Sequence, residues 1–232
     1  MKFVALVSGG KDSIFAILKL LQEGHELICL ANLYPVDSDE LDSYMYQSVG
    51  HEIIELMGAA LDKPLYRRPI KGKPTNLELE YGSSINQEDE VEDMFELLKE
   101  IKEKHPEIDS VSSGAINSTY QKNRVENICE RLGWTSLAPL WNLEATGLLQ
   151  DMIKNEMNSI LIKVASMGLG KADLGKSLAQ LEPKLLGLQE KYDIHCCGEG
   201  GEFESLTLDC PIFKKRIVIE EKEIIMTLDD GV

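Results

Sequence analysis

The opening of the chain constrains its fold most strongly. Five apolar residues, 3–7, run straight into Ser8-Gly9-Gly10-Lys11-Asp12-Ser13, and a segment carrying Ile14, Phe15, Ile17, Leu18, Leu20 and Leu21 follows as far as Gly24. The first run has the length of a short buried strand, and the second has the spacing and the terminal glycine of a helix. A helix with so many apolar positions must be covered on both sides, which places it inside the protein. A strand, a glycine turn and a covered helix in that order are the first unit of an α/β fold.

The alternation continues. Apolar runs at 27–33, 65–70, 110–113 and 136–140 read as strands. Between them lie a helix over 43–61, a second whose Val91, Met94, Phe95, Leu98 and Ile101 share one face, and a third marked by Val125, Ile128, Cys129 and Leu132. Five strands separated by helices predict an α/β fold with a Rossmann-like, doubly wound parallel sheet. Such sheets take ligands at the carboxyl ends of their strands, so Ser8, Asn32 and Gly114 are expected around one crevice. Residues 71–89 are polar and lack periodicity, and are expected to form the most mobile loop. From about 141 the pattern changes to a helix, a strand at 160–165, a helical stretch over 172–192 and strands at 206–208, 216–219 and 224–228. The expected division is 1–140 as the main domain and 141–232 as a smaller α+β domain.

Forty acidic residues against 24 basic give a formal charge of −16, which argues against a general electrostatic grip on nucleic acid. Arg67, Arg68, Lys71 and Lys73 are the one local basic grouping that could oppose this. No run approaches the ~18 continuous apolar residues of a membrane span, and the apolar start is too short for a signal-peptide core of about 7–15 residues. The five cysteines (Cys29, Cys129, Cys196, Cys197, Cys210) are odd in number and contain no CxxC pair, so a reduced, cytoplasmic setting is expected, with the thiols packed and not reactive.

In the turn at 8–13 glycines let backbone approach an anion, and the helix start adds amide donors and partial positive charge. The turn is not a Walker A loop, because Ala5 and Asp12 stand where that motif needs Gly and Ser or Thr, and it is not G-x-G-x-x-G. The hexapeptide resembles the pyrophosphate loop (PP-loop) of the adenine nucleotide alpha hydrolase superfamily, enzymes that split ATP between its α and β phosphates. That resemblance implies an ATP site made by Ser8, Gly9, Gly10, Lys11, Asp12 and Ser13, with Asp12 able to hold magnesium or to cap the helix. Ala31, Asn32 and Gly114 would border adenine and ribose, and Arg124 could reach a phosphate from the following helix.

A second unusual segment is Gly198-Glu199-Gly200-Gly201-Glu202-Phe203-Glu204-Ser205, with three carboxylates and three glycines in eight residues. Glu199, Glu202 and Glu204 can hold magnesium, take a proton or attract a cation, and Phe203 sets an aromatic face among them. His195, without a partner at metal spacing, reads as structural.

Taken together, the loop at 8–13, Ala31-Asn32-Leu33, the stretch 40–51 with Tyr44, Tyr46, Gln47 and His51, Asp89-Glu90-Val91-Glu92-Asp93, Gly114-Ala115-Ile116 with Tyr120-Gln121 and Arg124, and the acidic glycine loop resemble the diphthine–ammonia ligase family from about residue 2 to 219. The resemblance implies ATP-dependent amidation of the diphthine carboxylate on translation elongation factor two, with free ammonia, through an acyl-adenylate. Lys11 and the three glutamates would be catalytic, magnesium would accompany ATP, and Tyr44, Tyr46, Gln47, His51 and Phe203 would meet the protein substrate and its trimethylammonium group. Two other readings stay open: a PP-loop enzyme that modifies transfer RNA, and an ATP-binding sensor without catalysis.

Overall fold

The computed structural model describes residues 1–35, 51–76, 78, 79, 81, 86 and 88–225. Its main sheet has five parallel strands, β1 (Lys2–Leu6), β2 (Glu26–Tyr34), β3 (Leu65–Pro69), β4 (Ser110–Ser112) and β5 (Thr135–Leu137), in the spatial order β3-β2-β1-β4-β5. Helices α1 (Lys11–Gln22), α2 (Ile54–Leu61), α3 (Glu90–Lys104) and α4 (Thr119–Leu132) make the crossovers. The order of strands reverses between β1 and β4, so a crevice opens there outside their carboxyl ends. The doubly wound sheet is the one the sequence predicts.

Strand alternation explains how both faces are covered. Phe3 and Ala5 of β1 join a core formed with α1 and α2, whereas Val4 points to the opposite core beneath α3 and α4. Residues beyond 140 contribute α5 (Ala145–Lys154), α6 (Leu178–Tyr192) and an antiparallel pair, β6 (Asn158–Val164) with β7 (Phe203–Asp209). Leu149, Leu161, Leu181, Phe203 and Leu206 from this part pack into the same core as Phe3, Ile14 and Phe15. Helix α1 therefore lies between the main sheet and β7, which is why its apolar residues extend around most of its circumference. Among the described residues no helix is long and apolar enough to cross a membrane.

Several expectations are corrected. Residues 216–219 form no strand, since Val218 is 64% exposed and has no apolar face to cover. The expected strand at 224–228 is not formed at 224 and 225, and its remaining residues lie outside those described. The helix expected over 43–61 is regular only over Ile54–Leu61, after a 3-10 turn at His51–Ile53, while 43–50 lie outside the described residues. The helical stretch over 172–192 is broken because Gly175 takes φ +79° and its amide donates to Leu161; α6 then starts from a Ser177 and Gln180 capping box.

The polar stretch 71–89 is pinned where it is described. Asp89 Oδ2 accepts from Thr75 N, Thr75 Oγ1 and Asn76 N, and Tyr81 donates to Glu92, itself paired with Arg131 at 2.7 Å. The expected mobile loop is thus anchored to α3 and α4 by side-chain bonds that hydrophobic periodicity does not register.

Candidate active site

β1 ends at Leu6, and the turn that follows is shaped by glycine. Gly9 takes φ +81°, and a Cβ there would lie 2.8 Å from Ile54 Cδ1. Its carbonyl accepts from Thr207 N at 2.9 Å, which ties the turn to β7. Gly10 caps α1 without a side chain, Ser8 Oγ accepts from Gly10 N at 3.3 Å, and Ser13 Oγ donates to Gly10 O at 3.1 Å. Lys11 is 3% exposed; its amide donates to Ser205 Oγ at 3.1 Å, and its ammonium lies 2.8 Å from Asp12 Oδ2. Burial disfavours the lysine's charge, but the Asp12 carboxylate beside it, with Glu199 further off, outweighs that cost and holds the ammonium above the usual lysine value.

The neighbouring strand ends complete the walls. Asn32 at the end of β2 donates to Val7 O at 2.9 Å and accepts from Arg67 Nε at 3.0 Å, so its amide is committed to locking β1, β2 and β3 together. After β4, Gly114 packs directly on the first turn of α1, where a Cβ would come within 2.7 Å of Ser13 N. Ser113, just before it, is 8% exposed.

The acidic loop sorts its three glutamates. Glu199 Oε1 accepts from Asn117 N at 2.8 Å and Ser118 N at 2.9 Å, placing negative charge at the start of α4. Glu202 uses both oxygens inside the loop, accepting from His195 N and Gly200 N at 2.8 Å each. Glu204 has reached the regular strand β7, opposite Lys163 of β6, with Nζ 3.9 Å from its Oε1. Its Oε2 is buried and has no hydrogen-bond partner among the described residues. Burial pushes this carboxyl above the usual carboxylate range, and Lys163 offsets the effect only in part.

These pieces enclose a cavity of about 290 Å³ at the sheet's switch point. Its lining is mixed: Leu6, Leu33, Met94 and Val125 give apolar surface, and Lys11, Asp12, Glu199 and Glu204 give charged groups beside Ser8, Ser13 and Ser205. Ala31, Asn32, Gly114 and Phe203 also line it, so most of the residues expected at a nucleotide site share one chamber. Gly9 and Gly10 are not among the lining residues; they belong to the turn that carries Ser8 and Lys11.

Three expected residues have other roles, and some lie out of view. Arg124 is fully buried away from the cavity; it donates to the carbonyls of Asn76, Glu78 and Tyr120 and stacks 3.2 Å from the Tyr120 ring centroid. It fastens the 76–81 stretch to α4 in place of reaching a phosphate. Glu202 does not line the cavity, because its carboxylate is consumed as the brace of its own loop. Phe203 is 3% exposed with the Lys11 ammonium 5.1 Å from its ring centroid, so a cation of the chain itself already stands by the ring. Tyr44, Tyr46, Gln47 and the side chain of His51 lie outside the described residues. Sequence reasoning missed Ser113, Gln121 and Ser205, although Ser113 follows a strand end just as Ser8 does.

The cysteines are all buried. Cys197 is pushed upward by its hydrogen bond with Cys196 and by burial, against the pull of Lys11, and so makes a poor sulfur nucleophile.

The family model described as the diphthamide synthase N-terminal domain matches residues 1–136, and that of the diphthamide synthase C-terminal domain matches 144–232. A diphthine–ammonia ligase of Danio rerio is 51% identical over 235 residues, covering 100% of this chain and 91% of the Danio rerio protein. One from Schizosaccharomyces pombe is 52% identical over 226 residues, 97% of this chain but 37% of the yeast protein, so the chain spans little more than a third of that relative. A solved structure from Methanocaldococcus jannaschii, described as a predicted subunit of tRNA methyltransferase, covers 94% of this chain at 15% identity with a TM-score of 0.40.

Proposed function

The chain belongs to the diphthamide synthase family, and from that membership and the cavity we propose that it amidates the diphthine carboxylate of translation elongation factor two, using ATP and ammonia. The observation that carries the reading is the chamber itself: apolar side chains with Lys11 and three carboxylates in one lining, on a family match that runs the length of the chain.

The apolar side chains of the lining suit a purine, and Ser8, Ser13 and Lys11 suit a polyphosphate. A cavity whose lining holds three carboxylates against one ammonium repels a nucleotide polyphosphate unless a cation joins it. Asp12 suits magnesium: its Oδ1 is buried without a partner, and no set of three or more His, Cys, Asp or Glu among the described residues forms a protein-only cage. That is the arrangement magnesium accepts when it shares its ligands between a carboxylate and phosphates, where it supplies charge neutralisation.

The substrate carboxylate attacks the α phosphorus, the bond to the β phosphate breaks, and pyrophosphate leaves with its charge met by Lys11 and the helix start. Glu204 binds ammonium and takes one proton, and the freed ammonia attacks the acyl carbon as the bond to AMP breaks. Its unpartnered, buried Oε2 and its raised carboxyl suit it to this role better than Glu202, both of whose oxygens are bonded to amides, or Glu199, whose Oε1 is. The trimethylammonium group of diphthine falls to the 40–51 stretch. A cytoplasmic place of action accords with that substrate.

The test mixes the purified protein with ATP, magnesium, ammonium and elongation factor two from cells lacking the enzyme, and reads the modified-histidine peptide by mass spectrometry alongside AMP and pyrophosphate. Amide with matching AMP establishes the ligase. AMP without amide points to another acceptor such as transfer RNA, and intact ATP points to a sensor.

A further inference from the structure

A nucleotide with its phosphates on the 8–13 turn after β1 would carry its sugar toward a neighbouring strand end, and at the end of β4, the strand beside β1, Ser113 and Gly114 line the cavity together with Gln121 of α4. Gly114 fixes the register, since its Cα face rests on Asp12 and Ser13 at distances that leave no space for a side chain. Ser113 is therefore the chain neighbour of a residue in contact with the 8–13 turn.

The side chain of Ser113 is more than nine-tenths buried, yet its hydroxyl has no hydrogen-bond partner among the described residues. A buried hydroxyl without a partner is a net cost. The other small polar groups nearby are engaged: Ser13 Oγ donates to Gly10 O, and the Asn32 amide is held between Val7 O and Arg67. Turning about its one side-chain torsion, serine can present its hydroxyl as both donor and acceptor, which is the complement of a sugar hydroxyl.

We propose that Ser113 is the specificity-determining residue that reads a ribose hydroxyl, so that the site selects ribonucleotide over deoxyribonucleotide triphosphates. The inference rests on the reading of the cavity as an ATP site and adds the part of ATP it discriminates by.

Calorimetric binding of ATP, 2′-deoxyATP and 3′-deoxyATP, with magnesium and without acceptor or ammonium, tests it in the wild type and in Ser113→Ala. The wild type is expected to prefer ATP over at least one deoxynucleotide by about five- to tenfold, the ratio for one neutral hydrogen bond. Ser113→Ala should lose that preference while binding the disfavoured deoxynucleotide about as well as before. Equal ratios in wild type and variant, or a uniform weakening of all three nucleotides, would overturn the role of Ser113 but leave the ATP site standing. No binding of any nucleotide to the wild type would overturn both. Thermal melting confirms that the variant is folded, and Ser113→Cys, which keeps the volume and weakens the hydrogen bond, carries the same comparison should alanine disturb the turn.

Discussion

The turn at 8–13 and the turn at 198–205 both join glycines to charged residues on the same cavity, but they use their charges differently. In the first, Lys11 and Asp12 reach the chamber while Gly9 takes the left-handed backbone. In the second, Gly198 and Gly201 take that backbone, and the amides of His195 and Gly200 consume Glu202, while those at the start of α4 consume an oxygen of Glu199. Only Glu204 escapes, because the amides around it belong to a strand and are committed to the β6 ladder. A carboxylate beside loose amides becomes a brace, whereas one on a regular strand stays available for chemistry.

The strongest way to break this comparison is to remove the charge that the first turn supplies. Lys11→Met takes away the cation facing the leaving pyrophosphate and leaves Asp12 without its 2.8 Å partner. ATP cleavage, followed as AMP release, should fall by about 10²–10³-fold, the loss typical of one electrostatic donor. Activity within about threefold of wild type would move the phosphates out of the first turn.

The second turn is tested by two substitutions of the same kind. Glu204→Gln should slow amide formation by about 10²-fold or more, as expected for loss of a general base, with ATP affinity within about threefold. Glu202→Gln should act mainly on stability, by about 1–3 kcal/mol, because a side chain with one acceptor oxygen cannot serve both His195 N and Gly200 N. Amidation rates and thermal melts of the pair read this directly. A dead but stable Glu202→Gln enzyme would reverse the assignment.

A smaller effect separates Arg124 from the phosphates. Arg124→Met removes the guanidinium bonds to the Asn76, Glu78 and Tyr120 carbonyls, of which Asn76 O keeps the Tyr120 hydroxyl, and should cost about 1–3 kcal/mol by denaturant unfolding. The ATP affinity of the folded variant should stay within about threefold. A tenfold loss of affinity without loss of stability would return Arg124 to the nucleotide.

The fold was legible because hydrophobic runs and glycine turns report the parallel sheet directly, and the strand-end rule placed Ser8, Asn32 and Gly114 on one cavity. What escaped was long-range hydrogen bonding. Nothing local to Arg124 says that its partners are the carbonyls of Asn76 and Glu78, and nothing in the acidic loop distinguishes Glu202 from Glu204 before β7 pairs with β6. The strands expected beyond 210 failed for a related reason: β-branched residues such as Val218 mark strands only where a second surface covers them.

The finest test of the comparison is the pH dependence of Glu204. Burial raises its carboxyl in the folded protein, and Lys163 works in the opposite direction. Glu204 as proton acceptor must be ionised, so amide formation should rise with pH through an inflection above the usual carboxylate range, and Lys163→Met should move that inflection higher still. Asp12, Lys11 and Glu199 line the same cavity and remain unchanged, so the displacement between the two profiles belongs to Lys163. For stability the sign is the reverse of a salt-bridged carboxylate. A folded-state value above the unfolded one favours folding with the proton bound, a contribution fully present below the ordinary carboxylate range and lost as pH rises through the raised value. Glu204→Gln, neutral throughout, should therefore be the more stable protein at neutral pH and lose that advantage on acidification. Melting temperatures of wild type and variant that stay parallel from acid to neutral pH would show that the Glu204 carboxyl does not have the burial assigned to it, and with it would fall the distinction between the braced carboxylates and the free one.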